Sequence, residues 1–528
     1  MSIPQRRFGA WGFAGAEHPA PPPALAYLQA HLGTGDPLPE ATVEGFRVPK
    51  AQALPAFGVA TERAGEARLW VAAGQSFPDI LAFRTKTLAS VPDAVVFPAS
   101  PQEVVRVLAE ASRHGVAVIP RGGGTSVVGG VTVPRLSQPV VVLSLERLSG
   151  LVSLDGRSGL ATFWAGTVGP RVEAELAANG FWLGHEPQSF ELSTVGGWVA
   201  TRSAGHRSTG VGKIEDLVAG VEAAVPGGLW RLSPLPASAA GPELRRLLCG
   251  SEGRLGVLTQ VTLKVRPKPV SDPGLALLLP SWEDGVELCR TLLQEGLTPQ
   301  VLRLSDPPET TFGLQLVTLS GLARMASSFL FSRKRFARPS LLLVGGGEGA
   351  PLAAARRLAR KAGGVVLGKG IWEKWRRDRF AHPYLRDAFL SAGFGVDTFE
   401  TAAPWSALLR LYAAVQGKLR QAAESLGQRV LVLGHLSHAY RDGACLYFTF
   451  FWPLRRGYER EHWQVYKHAS LEAILSAGGT VSHHHGVGRM HAEVLPGEIG
   501  HEGVEALRAL AKSVDPAGIL NPGVLFGG

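Results

Sequence analysis

Toward its C-terminal end the sequence carries Ser482-His483-His484-His485-Gly486-Val487-Gly488, with three imidazoles in a row. Imidazoles move protons near neutral pH, bind anions and ligate metal ions. Adjacent residues of a strand point to opposite faces, so three consecutive histidines rarely converge on one ion; contacts to phosphate or a cofactor suit them better, and no metal is expected. A polar turn before Gly486 would read the same way. Upstream, Tyr447 lies in Gly443-Ala444-Cys445-Leu446-Tyr447-Phe448, an apolar strand in which a tyrosine is ordinarily core. As a proton-transfer group its phenol, with a free pKa of about 10, would need neighbouring cations or histidines to stabilise the phenolate. Arg303, in Arg303-Leu304-Ser305-Asp306, and Arg386, in Pro383-Tyr384-Leu385-Arg386-Asp387, carry the guanidinium that best fits a phosphate dianion, although a lone arginine is usually a surface residue.

Glycine is abundant, at 65 residues, and it clusters. Ile119-Pro120-Arg121-Gly122-Gly123-Gly124-Thr125-Ser126 follows a strand-like run, and three successive glycines there permit a loop whose amide hydrogens point inward at a diphosphate. The dinucleotide spacing G-x-G-x-x-G and the Walker ending G-K-[ST] are both missing, which weakens NAD and ATP readings. A glycine-rich turn between strand and helix is the plain alternative. Three further segments favour a cofactor: Gln188-Ser189-Phe190-Glu191-Leu192-Ser193-Thr194-Val195-Gly196-Gly197, Thr201-Arg202-Ser203-Ala204-Gly205, and Cys249-Gly250-Ser251-Glu252-Gly253-Arg254-Leu255-Gly256-Val257-Leu258.

These groups need a frame, and the sequence supplies alternating strands and helices. Ala94-Val95-Val96-Phe97 reads as a strand; Ser100 as N-cap, Pro101 at the first position and apolar Val104, Val105, Leu108 and Ala111 predict a helix to His114 that Gly115 ends. Val116 to Pro120, Val140 to Leu145, Ala161 to Ala165 and the alternating Gly256 to Val265 read as further strands, and Gly169 to Asn179 as a helix. Arg266-Pro267-Lys268-Pro269 marks an exit. Beyond it, strands such as Leu341 to Val344 and Cys445 to Phe451 alternate with amphipathic helices, as around Trp405 to Leu426. Residues 1 to 90, rich in Pro and Ala, read as an arm with a few helices that says little about function.

At 528 residues the chain exceeds what one core organises, and 45% hydrophobic with 19% charged residues excludes a mainly disordered protein. Cys249, Cys289 and Cys445 are too widely spaced for a disulfide framework, so a reducing cytosol is the simplest reading. The N-terminus lacks the apolar core of a signal peptide, and no run approaches the roughly 18 apolar residues of a membrane span, so a soluble or peripheral protein is expected. The net charge is +10, with basic residues concentrated between Ser332 and Arg379. No zinc spacing or nucleic-acid motif accompanies them, which favours a phosphate-bearing substrate or an anionic lipid surface over nucleic acid. The Ala-, Gly-, Leu-, Pro- and Arg-rich composition points to a bacterial, GC-rich source.

Together the glycine segments resemble the FAD-binding domain, PCMH type, of the vanillyl-alcohol oxidase superfamily. Within it, from about Trp11 onward, the chain resembles the alkyldihydroxyacetonephosphate synthase (alkylglycerone phosphate synthase) family, on the Tyr447, triple-histidine, Arg303 and Arg386 segments above. Ile214-Glu215-Asp216-Leu217-Val218 and Thr398-Phe399-Glu400-Thr401, leading to Pro404-Trp405, carry the same resemblance. It implies an α+β fold: an arm over 1–90, a two-subdomain FAD-binding domain over 91–269, a substrate or cap domain over 270–480, and a segment over 481–528 that returns to complete the active site and the flavin domain. It implies FAD held by Pro120, Arg121, Gly122, Gly123, Gly124, Thr125, Ser126, Val127, Gln188, Ser189, Ser193, Thr194, Gly196, Gly197, Thr201, Arg202, Ser203, Ala204, Glu252, Gly253, Leu255, Gly256, Val257 and Leu258. The glycine loop holds no histidine or cysteine to attach a flavin, so dissociable FAD is expected.

The activity implied is exchange of the fatty acyl group of an acyl-dihydroxyacetone phosphate for a fatty alcohol, giving an ether with no net oxidation and with flavin as electron sink. Tyr447 would transfer the proton next to the ketone, His483, His484 and His485 would contact phosphate and flavin, and Arg303 and Arg386 would bind phosphate. A homodimer is implied too. The main alternative is a FAD-linked 2-hydroxyacid dehydrogenase or oxidase of the D-lactate or glycolate type: Gly434-His435 and Asp442-Gly443 match its metal-binding pattern, but Tyr447 stands for its second metal histidine and His484 for its glutamate. A second is an inactive lipid-surface-binding flavoprotein, on the apolar Leu314 to Phe331 before Ser332-Arg333-Lys334-Arg335-Phe336. The sequence departs from the synthase pattern at Gln188 (commonly acidic), at Arg121 (commonly apolar) and over His206-Arg207-Ser208-Thr209-Gly210-Val211-Gly212. No peroxisomal targeting signal is evident at either end.

Overall fold

The chain enters its first sheet through Ala94–Phe97, and Ser100, in extended backbone, starts the helix Pro101–His114 by accepting the Glu103 N–H at 3.2 Å. Val104, Val107, Leu108 and Ala111 turn to the core, and Gly115, at φ 64°, stops the helix. The structure, a computed structural model, describes residues 5–16, 18–316, 334–346 and 349–527. Residues 317–333, most of the apolar stretch singled out above, lie outside them.

Strands Ala94–Phe97, Val140–Ser144 and Ala117–Arg121 pair in parallel, with Ala60–Glu62 added antiparallel at one edge. A second, five-stranded antiparallel sheet runs in the order Leu151–Asp155, Leu160–Trp164, Val257–Lys264, Val218–Val225, Gly228–Leu232. Both sheets share one core, in which Val118, Leu143, Phe163, Trp198 and Val261 meet Ile519 and Leu520 from the chain end. The C-terminal segment lies along Ala117–Arg121: Val118 donates to Ile519 O at 2.8 Å and accepts from Asn521 N at 2.9 Å.

A third, seven-stranded antiparallel sheet follows, in the order Val365–Gly368, Gly274–Leu279, Ser340–Gly345, Val301–Ser305, Leu431–Ala439, Gly443–Pro453, Phe394–Pro404. One face is apolar, with Leu304, Leu436, Phe448, Phe450 and Trp452 packed beneath the helices Trp405–Ser425 and Glu459–Ser476. Alternation puts the intervening residues on the other face. In register, Ser305 faces His435, His435 faces Tyr447 and Tyr447 faces Glu400, so four strands set one polar row.

The N-terminal region is more than an arm. Its helix Phe77–Thr85 is started by a capping box between Ser76 and Asp79 and buries Phe77, Ile80 and Leu81 in the core of the seven-stranded sheet. Arg6 meanwhile donates to Gly123 O at 3.2 Å, in the glycine loop of the other half. Among the described residues no helix is long and apolar enough to cross a membrane.

Candidate active site

Gly122 and Gly123 pack against residues 192–194: a Cβ on Gly122 would overlap the Thr194 hydroxyl, and one on Gly123 the Leu192 carbonyl. No other residue type allows that approach. Ser126 Oγ accepts from the N–H of Gly130 at 3.0 Å and of Val128 at 3.4 Å, which curls the loop. The later loop joins through Glu252, whose carboxylate accepts the N–H of Val487 at 2.7 Å and Gly488 at 2.9 Å, just beyond the histidines. Asn521 donates to the carbonyls of Gly130 at 2.9 Å and Glu252 at 2.7 Å, and Arg489 donates to Gly129 O at 2.6 Å and Asn521 Oδ1 at 3.0 Å. Arg202, Glu252, His438 and Asn521 take left-handed backbone, at φ 54°, 46°, 48° and 37°. Such residues cost about 1–3 kcal/mol each and persist where their surroundings fix them, commonly at functional sites.

The other expected cofactor residues gather around these loops. Gly253 lies against Pro120, Thr194 caps Val195–Thr201 by accepting from Gly197 N, Ser193 accepts the Trp198 indole N–H at 2.7 Å, and Ser203 Oγ is 3.3 Å from His185 Nε2. Two side chains turn elsewhere. Arg202 pairs with Glu215 at 3.0 Å with its side chain 56% exposed, and Gln188 donates to Arg379 O at 2.6 Å. Arg121 is half-buried beneath the loop and donates to Ala73 O at 3.0 Å; loss of solvent, then the charge of Arg6, lowers it to about 10. Ser251 Oγ, Arg489 Nε and His185 Nδ1 are buried without a protein partner. A cofactor with a diphosphate and a heterocycle offers partners to such groups, so the residues fit FAD.

Tyr447 stacks on His435 at 4.9 Å between ring centroids and on His484 at 6.0 Å, and meets His485 edge to face at 5.7 Å. Burial pushes its phenol above the ordinary range and Glu400 adds to this, partly offset by a hydrogen bond from Thr398. Burial likewise holds His484 and His438 neutral, well below the usual histidine range. The expected phenolate stabilisation is therefore corrected: the resting group is a phenol, and the His484 stacked on it is neutral. The histidines meet in pairs, His483 with His484 and His484 with His485, because residues 483–485 form bends instead of a strand. His483 Nδ1 is 2.9 Å from His484 Nδ1, Tyr440 OH is 2.7 Å from His483 Nε2, and Lys213 donates to His483 O at 2.6 Å.

Glu400, which drew no role from sequence, organises that turn. One of its oxygens accepts the N–H of His483, His484 and His485, at 3.1, 2.9 and 2.8 Å. Burial alone would raise this carboxyl, but His485 and His484 outweigh burial and hold it well below the usual range. Two ligand sets, Cys445-His483-His484 and Glu400-His484-His485, have their donor atoms within 4.8 Å of one another. Glu309 is the other acid that sequence missed. It pairs with Arg303 at 2.7 Å and with His435 Nδ1 at 3.1 Å, and these two neighbours overcome burial to bring it to about 2. Its signal was faint: an acid six residues past the arginine, across a helix start. Arg386 does not join Arg303. It donates to Gln75 O at 2.9 Å and Gln75 Oε1 at 2.8 Å, while Gln75 N donates to Ser126 O at 2.7 Å, so Arg386 braces the glycine loop from behind.

Residues 92–233 match the family model for an FAD binding domain, and residues 269–525 the C-terminal domain of FAD linked oxidases. Alkyldihydroxyacetonephosphate synthase of Caenorhabditis elegans is 32% identical over 471 residues, covering 86% of this chain and 79% of that one. The synthase of Trypanosoma brucei brucei is 30% identical over 474 residues, 87% of this chain and 77% of its own. The chain belongs to the alkyldihydroxyacetonephosphate synthase family. A solved alkyldihydroxyacetonephosphate synthase superposes with a TM-score of 0.85 at 25% identity, over 98% of each chain. As a member of that family the chain is an enzyme with FAD as its cofactor, and its fold is the α+β, vanillyl-alcohol oxidase type.

Proposed function

We propose that the chain exchanges the acyl group of an acyl-dihydroxyacetone phosphate for a long-chain alcohol, forming an ether-lipid precursor without net oxidation. The observation that carries this is the row His435, Tyr447, Glu400 across three strands, with His484 and His485 closed over the phenol. A buried phenol stacked on a neutral His484 suits a proton relay at a carbon next to a carbonyl. Tyr447 oxygen takes the proton from that carbon and passes its own hydrogen to an imidazole. Arg303, held by Glu309 and Ser305 and beside a His382 that burial and then Arg303 itself lower to about 4, is the phosphate ligand. FAD, when bound, supplies an electron sink for the activated carbon. The cradle residues hold it non-covalently.

The test is anaerobic: holoprotein is mixed with palmitoyl-dihydroxyacetone phosphate and hexadecanol, the flavin spectrum is followed, and ether is sought by mass spectrometry. Ether with flavin returning to its oxidised spectrum is the expected result. Absence of ether, with flavin bleached by D-lactate or another 2-hydroxyacid, would move the activity to a dehydrogenase.

A further inference from the structure

Glu400 lies opposite Tyr447 in the sheet register and is 1% exposed. The oxygen that gathers three successive backbone N–H groups also accepts the Ser482 hydroxyl at 3.0 Å, while the second oxygen is 2.7 Å from His485 Nδ1. A carboxylate has no hydrogen to give, so although this contact lies off the line of a ring hydrogen bond, the charge beside Nδ1 draws the hydrogen to that nitrogen and leaves the basic lone pair of the ring on Nε2. Among the described residues no group is hydrogen-bonded to Nε2, and the Tyr447 ring lies 5.7 Å from the imidazole.

We propose that Glu400 is a positioning residue that fixes His485 in its Nδ1–H tautomer, so that Nε2 accepts the hydrogen Tyr447 gives up. The step balances. The substrate carbon keeps the electron pair of its C–H bond, shared with the adjoining carbonyl; its proton goes to the Tyr447 oxygen as the phenol hydrogen passes to His485 Nε2. The imidazolium formed is paired with the Glu400 carboxylate, which stays ionised. Triads of this form lose activity when the carboxylate becomes an amide, because the imidazole is then held in the wrong tautomer. The substrate in this step rests on the function proposed above; the tautomer does not.

Glu400→Gln is the discriminating variant. Its amide oxygen must face the three backbone N–H groups, so its NH2 faces His485 Nδ1 and drives the hydrogen to Nε2. We expect kcat to fall by about 10²–10⁴-fold, with KM and the flavin spectrum kept. His485→Ala with Glu400→Gln should be no slower than His485→Ala alone. Additive losses, or a Gln variant with near-normal turnover, would overturn the proposal. A second readout needs no turnover: ¹⁵N spectra of histidine-labelled holoprotein, with the His485 signals assigned by their loss in His485→Ala. Wild type should show Nδ1–H and the Gln variant Nε2–H; His485 found as Nε2–H in wild type would sink the idea even if ether forms. Should wild type form no ether, the function proposed above fails while the spectrum still decides the tautomer, and wild type alone decides it if the Gln variant does not fold.

Discussion

Tyr447 and Glu252 show how burial sets what a single side chain can do. The Tyr447 phenol is raised by burial, so the proton transfer proposed for it starts from a resting phenol and not from a phenolate. Tyr447→Phe keeps the ring that stacks on His435 and removes only the oxygen; ether formation should drop by at least about 10²-fold while the flavin spectrum and melting temperature stay put. Near-normal turnover would remove Tyr447 from the chemistry. Glu252 answers to pH. Burial lifts its carboxyl to about 7, against the N–H groups of Val487 and Gly488, and Glu173 is lifted to about 7 by burial as well. At these two carboxyls, between about pH 4.5 and 7, the fold therefore holds protons that the unfolded chain has released. Their contribution to stability is complete below that window and is lost as pH rises through it, while His185, His382, His438 and His491, held neutral by burial, contribute in the opposite direction. Glu252→Gln keeps an acceptor oxygen and cannot ionise, so in unfolding followed at pH 5 and 7.5 its stability relative to wild type should rise by on the order of 1–3 kcal/mol between the two. An unchanged slope would show that Glu252 is ionised throughout.

Secondary-structure elements carry these residues to one place, and here the N-terminal helix Phe77–Thr85 matters as much as the sheets. Its Arg84 reaches Asp387 at 3.3 Å with both side chains essentially unexposed, and Asp387 also accepts the Trp11 N–H at 2.8 Å and lies 3.4 Å from Arg386, the brace of the glycine loop. A buried charge stranded outright costs about 3–5 kcal/mol; without Arg84, Asp387 keeps Arg386 at 3.4 Å and Arg7 at 4.0 Å, so the loss is smaller. Arg84→Ala should lower the melting temperature and, because the brace loosens, release FAD at lower urea than wild type; unaltered flavin retention would separate Arg84 from the loop. What could be read from sequence follows the same division. Ser100, Pro101 and Gly115 act within one helix, and the glycine runs act within one loop, so local spacing was enough. Tyr447 and the histidines stood out by chemical type. Glu400 and His435 gain their roles only from register, across strands far apart in the chain, and an acid in an apolar strand looks like any other until its opposite number is known; Glu309 gains its own from a helix start that turns it back on Arg303. Arg6 was illegible for a related reason: its acceptor is a backbone carbonyl 117 residues away. Alternation does not apply to the histidines, because it assumes a strand and a buried carboxylate gathers them into a turn.

At the scale of the whole molecule, charge is distributed unevenly. Residues 332–379 hold thirteen Lys and Arg against three acids, which equals the net +10 of the entire chain. Helix Gly349–Lys361, the edge strand Val365–Gly368 and helix Gly370–Asp378 lie side by side, with Arg356, Arg357, Arg360, Lys361, Lys369, Lys374, Arg376 and Arg377 exposed. Between them Val365 and Ile371 are 37% and 38% exposed, so the surface mixes cations with branched apolar side chains. Each cation near an anionic bilayer contributes about 1 kcal/mol, screened within a Debye length, and the apolar side chains add burial in the interface. A family member acting on long-chain substrates would meet them at such a surface. The purified holoprotein should therefore sediment with vesicles containing phosphatidylserine or phosphatidylglycerol at low salt, remain free in about 0.5 M salt, and ignore purely zwitterionic vesicles. Arg356→Glu, Arg357→Glu, Lys361→Glu and Lys369→Glu together should abolish the sedimentation while leaving turnover of a short-chain, water-soluble acyl substrate unchanged, since none of the four touches the cradle or the histidine turn. Equal sedimentation of this variant and wild type would show that the basic face serves something other than a bilayer.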